Sequence, residues 1–360
     1  MNEIIDEYFN KIGKKFTKNL NIILPAILKC GTSNTAIIAS EMSNFTKKDF
    51  NTNDRKLSRF LQDKDFQIDD KFWRCHFNLI FDFFDRHKIF KKDDIISINI
   101  DFTSSKKNFL ILSASILINE KAISLYFSMR NYPSKVYKMS QIKMEEAFIK
   151  SLKHLLPKKF NYCIVADRGF GNDRFASLCE ENGFNYVLRM MQNIRIQKNE
   201  KIEFLRDFIG KNEAFKAFVP YWQKSRNFIV HTKNNSTWFL LYKTQKNPVE
   251  IYEKRFKIEK LFQDKKTSGF DIEETKIRKF DRFKRLLYLT TLAHLFMVIL
   301  GNFIENAKDE LKKKFKKNFP MEERVLSVFL PQENEHLCIF NNHLKCSNLL
   351  ILEADNFVGE

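Results

Sequence analysis

The sequence IISINIDFTS, residues 95–104, alternates apolar and polar side chains along its length. The apolar members fall on every second position, at Ile96, Ile98, Ile100 and Phe102. This period of two predicts a β-strand that turns its apolar side chains toward a core. One carboxylate, Asp101, lies near the end of this predicted strand.

Segments with similar signals continue the chain. In order they are strands at 109–118 (FLILSASILI) and 121–129 (KAISLYFSM), a helix at 138–155, a strand at 161–166, a helix at 173–181 and a strand at 185–189 (NYVLR). Three strands, helix, strand, helix, strand is the order of an α/β domain.

A second aspartate occupies a place like that of Asp101. Asp167 follows the β-branched run in CIVADRGFG, residues 163–171. Open α/β sheets place functional side chains beyond the carboxyl ends of their strands. Asp101 and Asp167 are therefore candidates for one shared site.

A third stretch, PVEIYEKRFKIEKLFQDKKTSGF at 248–270, carries polar side chains at the spacing Y-x2-R-x3-E-x6-K. They are Tyr252, Arg255, Glu259 and Lys266, and on an α-helix they share one face. A carboxylate binds a hard cation, while Arg and Lys bind phosphate oxygens, so this face suits a metal ion and a phosphate together. A solvated amphipathic helix is the alternative interpretation.

The three motifs together resemble a DDE transposase. They are D-x-T at 101–103, ADRGFG at 166–171 followed by GFNYVLR, and Y-x2-R-x3-E-x6-K. Their order and spacing are most similar to those of the bacterial insertion-sequence transposases with the YREK signature. The similarity covers roughly residues 94–305.

This resemblance implies an α/β fold with an RNase H-like catalytic core, a β-rich insertion and a helical N-terminal DNA-binding region. The implied division is 1–90 for the helical region, 91–307 for the catalytic domain with its insertion at about 191–247, and 308–360 for a C-terminal tail. Dimerisation is a candidate role for that tail.

The resemblance also implies roles for individual residues. The catalytic, metal-binding carboxylates would be Asp101, Asp167 and Glu259, with Asp101 bridging two Mg²⁺ (or Mn²⁺) ions. The DNA-binding residues would be Tyr252, Arg255, Lys266 and Arg168. Mg²⁺ takes oxygen ligands and keeps several waters, so a few carboxylates and a substrate phosphate suffice to hold it.

The implied activity is cut-and-paste transposition: cleavage at terminal inverted repeats, then joining of the 3′ ends to target DNA. A synaptic homodimer in the bacterial cytoplasm, associated with the nucleoid, would carry it out. One alternative is a non-catalytic DNA-binding protein derived from a transposase, which the intact set of three carboxylates disfavours. Another is an RNase H-like nuclease without strand transfer, which the YREK spacing disfavours.

The charge of the chain agrees with a polyanionic partner. Its net charge is +18, from 62 Lys and Arg against 44 Asp and Glu. Residues 194–285 hold 23 basic and 12 acidic side chains, so much of the excess surrounds the YREK stretch. We therefore expect nucleic acid before an anionic membrane, and a basic groove beside the carboxylates.

The N-terminal region predicts helices, with Ser33 as a candidate cap and a helix-turn-helix-like pair that ends in DRKLSRFLQD. In that arrangement Arg55, Lys56 and Arg59 would face phosphates. A plain helical bundle is the alternative. Six scattered cysteines, and a first segment without the apolar core of a signal peptide, favour the cytoplasm.

Two further segments allow alternatives. Leu286–Ile304 is nearly long enough to cross a bilayer, but its internal His294 and its flanking basic residues favour a buried core helix. In the tail, four side chains invite a zinc site, namely His336, Cys338, His343 and Cys346. Their spacing matches no zinc finger, so a role in packing is favoured over zinc binding.

Overall fold

The computed structural model describes residues 1–91, 93–105, 108–118, 121–131, 141–234, 236–255, 270, 272 and 275–318, with side chains as far as residue 301. The chain divides into one unit at Met1–Phe296 and a second at Met297–Glu360. The candidate zinc ligands His336, Cys338, His343 and Cys346 lie outside the described residues. The three-part division expected from the sequence stays a prediction.

The described residues form a ten-stranded sheet. In chain order its strands are β1 (Ile95–Ser105), β2 (Phe109–Ile118), β3 (Lys121–Asn131), β4 (Asn161–Ala166), β5 (Asn185–Arg189), β6 (Arg195–Lys198), β7 (Lys201–Phe204), β8 (Glu213–Val219), β9 (Lys224–Lys233) and β10 (Ser236–Lys243). Across the sheet the order is β3-β2-β1-β4-β5-β10-β9-β8-β6-β7.

The first five strands form the core of the sheet. β2 pairs antiparallel with both β1 and β3, whereas β1, β4 and β5 run parallel to one another. Parallel neighbours need crossover connections. These contain helix α6 (Gln141–Leu155), before β4, and helix α7 (Asp173–Glu181), before β5. This is the order that the sequence predicts.

The predicted β-rich insertion is also present, and it continues the core sheet. β10 pairs antiparallel with β5, with Leu240 opposite Arg189. β9 and β10 then form a hairpin, and β8 pairs with the far side of β9. The backbone hydrogen bonds of β5 are therefore completed by a strand from the insertion.

Five helices precede the sheet: α1 (Asn2–Phe9), α2 (Lys14–Cys30), α3 (Thr35–Thr46), α4 (Phe50–Gln62) and α5 (Asp70–Arg86). The last three begin at side chains that accept a backbone N–H, namely Asn34, Asp49 and Asp69. The prediction that Ser33 caps a helix is therefore wrong by one residue, since Asn34 is the cap. Its backbone N–H donates to the carbonyl of Phe270 at 2.5 Å.

In the described part of the chain after the sheet there are two helices, α8 (Pro248–Glu253) and α9 (Phe280–Asn318). Arg285 of α9 is buried, and its guanidinium donates to the carbonyls of Leu61 at 2.9 Å and Phe66 at 2.7 Å. A buried carbonyl without a partner is costly, so these bonds fix the segment after α4 against α9.

Among the described residues, one helical segment, Phe280–Gly301, has the length and apolar composition of a membrane span, and 83% of its most apolar stretch is buried within the protein. Helices α2 and α3 have the length and apolar composition of a span only when they are taken together, and the pair is bent by 115°. A buried core helix of a water-soluble domain gives the same signal as a span. The burial confirms the predicted core helix for the part of Leu286–Ile304 that the structure describes.

Candidate active site

The structure brings the two candidate aspartates to the same edge of the sheet. β1 pairs with β4 as far as Ile100 and Ala166. Asp101 directly follows Ile100, and Asp167 directly follows Ala166. Because the two strands are parallel, both carboxylates lie where this pairing ends. β1 itself continues to Ser105 through its antiparallel pairing with β2, so Asp101 marks the end of one pairing rather than of the strand.

An aromatic contact fixes the two segments that carry the aspartates. Phe102, next to Asp101, stacks on Phe170 in the 3-10 turn after Asp167, with ring centroids 5.2 Å apart and an interplanar angle of 4°. The backbone N–H of Phe102 donates to Asp101 Oδ1 at 2.9 Å. The stack limits relative movement of the two carboxylates.

Helix α8 and the turn after it bring Tyr252 and Arg255 to these carboxylates. Arg255 Nη2 lies 3.4 Å from Asp101 Oδ2 and 4.0 Å from Asp167 Oδ2. The Tyr252 hydroxyl donates to Asp167 Oδ1 at 3.4 Å. One guanidinium nitrogen therefore faces both acids, and four of the predicted site residues meet. The helix starts where Asn247 accepts the N–H of Val249.

The side chains of Tyr252, in α8, and Arg255, in the turn after it, are both buried. Tyr252 is 0% exposed and Arg255 is 5% exposed. Tyr252 packs with Val165 and Leu240 in one apolar cluster, so strands of the core and of the insertion together hold α8 in place. Burial, as the main cause, raises the pKa of Tyr252 to about 12. The phenol therefore stays protonated at neutral pH and acts as a hydrogen-bond donor.

The two carboxylates remain open to solvent. The side chains of Asp101 and Asp167 are 30% and 37% exposed. Two accessible carboxylates at one sheet edge fit a hard cation such as Mg²⁺ or Mn²⁺, since both ions take oxygen ligands. Among the residues that the structure describes, no group of three or more His, Cys, Asp or Glu side chains is arranged to hold a metal ion. The predicted Glu259 and Lys266 lie outside those residues.

Arg189, at the end of β5, is a site residue that the sequence reasoning missed. Its Nη1 lies 3.9 Å from Asp167 Oδ1. Its charge and a side-chain hydrogen bond also act on Tyr252, lowering the pKa of the phenol against the larger effect of burial. Arg189 is the last residue of the motif GFNYVLR, so the sequence did contain a signal for it. Only the pairing of β5 with β4 shows that Arg189 lies close to Asp167.

The turn after Asp167 packs tightly on Arg189. A Cβ placed on Gly171 would lie 2.1 Å from the backbone oxygen of Arg189, well inside contact distance. Glycine is therefore required for this close approach. Arg168, in the same turn, is exposed and lines a cavity together with Arg189.

A family model described as a transposase DDE domain matches residues 68–296. The chain belongs to the DDE transposase family. Its domain is that of a nucleic-acid-cleaving enzyme with DNA as partner, and the family uses divalent metal ions. The RNase H-like core expected from the sequence is confirmed by the family and by the order of the first five strands.

Solved structures similar to this DDE transposase include two endonucleases V. The Ciona intestinalis enzyme, in complex with an inosine-containing 24mer DNA, is 15% identical, and the match covers 48% of this chain and 83% of that one, with a TM-score of 0.28. The Bacillus subtilis enzyme is 10% identical, with coverage of 69% and 98% and a TM-score of 0.27. No curated protein matched. The YREK subtype stays a prediction.

Proposed function

We propose that this DDE transposase cuts DNA at the terminal inverted repeats of an insertion sequence and joins the 3′ ends to target DNA. The observation that carries the proposal is that Asp101 and Asp167, where the parallel pairing of two strands ends, both lie within 4.0 Å of the Arg255 guanidinium. Two acids held together in a solvent-accessible place suit phosphoryl transfer, because carboxylates can hold the divalent cations that stabilise charge on the reacting phosphate.

Asp101 and Asp167 would hold the divalent ions, with Glu259 as the proposed third carboxylate and Mg²⁺ or Mn²⁺ as the proposed metal. When bound, such ions activate the attacking oxygen and stabilise charge on the leaving oxygen. The oxygen donors and their exposure support this assignment.

Tyr252 of α8 and Arg255 of the following turn position the carboxylates. Arg255 offsets the repulsion between Asp101 and Asp167, and the Tyr252 hydroxyl holds one oxygen of Asp167 in place. When DNA enters, Arg255 exchanges part of its contact with the carboxylates for a contact with a phosphate oxygen. The planar guanidinium group suits both carboxylate and phosphate. Arg168 and Lys266 are proposed to contact DNA directly.

The function is tested with DNA that carries the inverted repeats flanking the gene. With Mg²⁺, the wild-type protein should nick these ends, break both strands and then insert the ends into a plasmid. Binding without cleavage would instead indicate a DNA-binding derivative. Cleavage without joining would indicate a nuclease. Analysis of the DNA-bound complex by light scattering tests the proposed synaptic homodimer, and fluorescence microscopy tests the proposed nucleoid association.

Replacing Arg255 with Ala should affect the later cleavage step more than the first nick. The variant keeps both carboxylates, so metal binding and some nicking should persist. Holding the DNA end in line for the second break requires the lost guanidinium. We expect double-strand breaks to fall about tenfold further than nicks, a difference of about 1.4 kcal/mol.

The measurement is an end-cleavage assay that resolves nicked from double-strand-broken products. Arg86 supplies a matched control, because its guanidinium pairs with Glu7 on the surface. An equal fall of both products in Arg255→Ala, with normal DNA binding, would reduce Arg255 to a general electrostatic role.

DNA binding should depend steeply on salt. Each phosphate that the basic side chains neutralise releases counterions, so six to ten such contacts imply a loss of about 10³ to 10⁵ in affinity between roughly 50 and 200 mM salt. Fluorescence anisotropy with Ca²⁺ in place of Mg²⁺ separates binding from cleavage. A shallow dependence would contradict the basic groove predicted for residues 194–285.

A further inference from the structure

A cavity of about 330 Å³ is lined in part by Arg189, whose guanidinium also lies 3.9 Å from Asp167. Its lining includes Arg168 from the turn after β4 and Arg189 from the end of β5. Gln192 and Asn193, which follow β5, also line it. The cavity therefore adjoins the candidate active site but is built mostly from other residues.

The lining of this cavity is suited to an anion. Two arginines and two residues with carboxamide side chains line it, together with Met190, Met191, Thr237 and Phe239, and none of the lining residues is Asp or Glu. Guanidinium groups bind phosphate through two parallel N–H donors, and a carboxamide can donate a further hydrogen bond. A cationic ligand would be repelled by both guanidinium groups.

The two arginines are held differently, and this allows them to act together. Arg189 is anchored by Asp167, at 3.9 Å, and its side chain is only 20% exposed. Arg168 is exposed and has no ion-pair partner among the residues that the structure describes. A fixed guanidinium next to one available to solvent can capture a phosphate with little reorganisation of the fixed partner.

We propose that this cavity binds a second DNA phosphate, next to the phosphate that is cleaved but distinct from it. The inference rests on the proposed function, since it takes the ligand to be the DNA end. Asp167 links the two positions, because its Oδ2 lies 4.0 Å from Arg255 Nη2 and its Oδ1 lies 3.9 Å from Arg189 Nη1. Occupation of the cavity fixes the strand on both sides of the reacting group, which limits its rotation.

A purely structural role for Arg189 predicts a different outcome. If Arg189 only orients Asp167, its removal lowers cleavage but leaves the phosphate contacts of the DNA unchanged. The informative measurement is therefore binding, made with Ca²⁺ so that no strand is cut. Each phosphate near the end is replaced in turn by an uncharged methylphosphonate, and affinities are compared between wild type and Arg189→Ala.

In the wild type, one methylphosphonate away from the scissile position should weaken binding about tenfold, as expected for a lost hydrogen bond to a charged group. In Arg189→Ala the same replacement should have no further effect, because the contact is already absent. Arg189→Lys, which keeps the charge but not the fork, should retain part of the penalty. Arg168→Ala should reduce the penalty at the same phosphate.

Arg86→Ala is the control, since Arg86 is the last residue of helix α5 and lies near the opposite end of strand β4 from Asp167. The neighbouring Asp85 pairs with Lys159, just before β4 begins, whereas Asp167 follows the end of β4. This control should reproduce the wild-type scan. Melting curves establish that each variant is folded.

The inference is overturned if every methylphosphonate penalty is the same in wild type and Arg189→Ala. It is also overturned if the penalties change only at the scissile phosphate. Absence of cleavage by the wild type with Mg²⁺ rejects the proposed catalytic function, but the phosphate site is still decided by the binding scan. A protein that fails to bind end DNA at all contradicts both.

Discussion

Asp101→Asn is expected to abolish cleavage of end DNA while leaving DNA binding nearly intact. Asparagine keeps the shape of the side chain, so β1 and its pairing are preserved. It loses the negative charge that faces Arg255 and that is proposed to hold metal. We expect cleavage to fall at least about 10³-fold, or about 4 kcal/mol of transition-state stabilisation.

Gel assays with Mg²⁺ measure this loss, and anisotropy with Ca²⁺ measures the affinity for the same DNA, which should change less than about threefold. Asp85→Asn is the matched control, because Asp85 is an exposed acid near the start of β4. Asp167→Asn should behave like Asp101→Asn. Full cleavage by either active-site variant would remove that aspartate from the proposed metal site.

Gly171→Ala is expected to damage both the stability and the activity of the protein. The new Cβ would lie 2.1 Å from the Arg189 backbone oxygen, so the turn or the end of β5 must move. Overpacking of this kind costs about 1–3 kcal/mol, and more where backbone is displaced. A shift of about 1 Å between Asp167 and its neighbours should also lower cleavage by about 10²-fold.

Gly169→Ala is a stringent control for this variant. Gly169 lies in the same turn, yet a Cβ at that position meets nothing within 4 Å. Its effect on unfolding free energy should therefore stay within about 0.5 kcal/mol, as for other surface substitutions. Thermal melts and cleavage assays on the two alanine variants separate a steric effect from a general loss of glycine flexibility. Equal behaviour of the two variants would show that the close approach to Arg189 is unimportant.

The core strands could be predicted from the sequence because their side chains carry a clear period. β2, β4 and β5 have the bounds that the patterns at 109–118, 161–166 and 185–189 predict. The insertion was harder to predict. Only β9 and β10 have long apolar runs, whereas β6 reads RIQK and β7 reads KIEF. Short, charged strands of this kind carry little local signal.

The pairing of β10 with β5 could not be predicted, because a contact between distant strands has no local signature. The same limit explains Arg189, which becomes a site residue only when β5 lies beside β4. Helical spacing placed Tyr252 and Arg255 on one face, and they do meet at the site. The helical spacing does not indicate whether that face is buried. In the structure the side chains of Tyr252 and Arg255 are both buried. Glu259, Lys266 and the DNA contacts of this face stay predictions.

The central place of β10 has a consequence for synthesis of the protein on the ribosome. β5 is complete at Arg189, but the strand that covers its open edge begins only at Ser236. At translation rates of roughly 5–20 residues per second, that edge stays uncovered for several seconds on each nascent chain. During this interval β5 can pair with the edge of another chain. Slower translation between these strands should therefore increase aggregation, whereas slower translation after Lys243 should not.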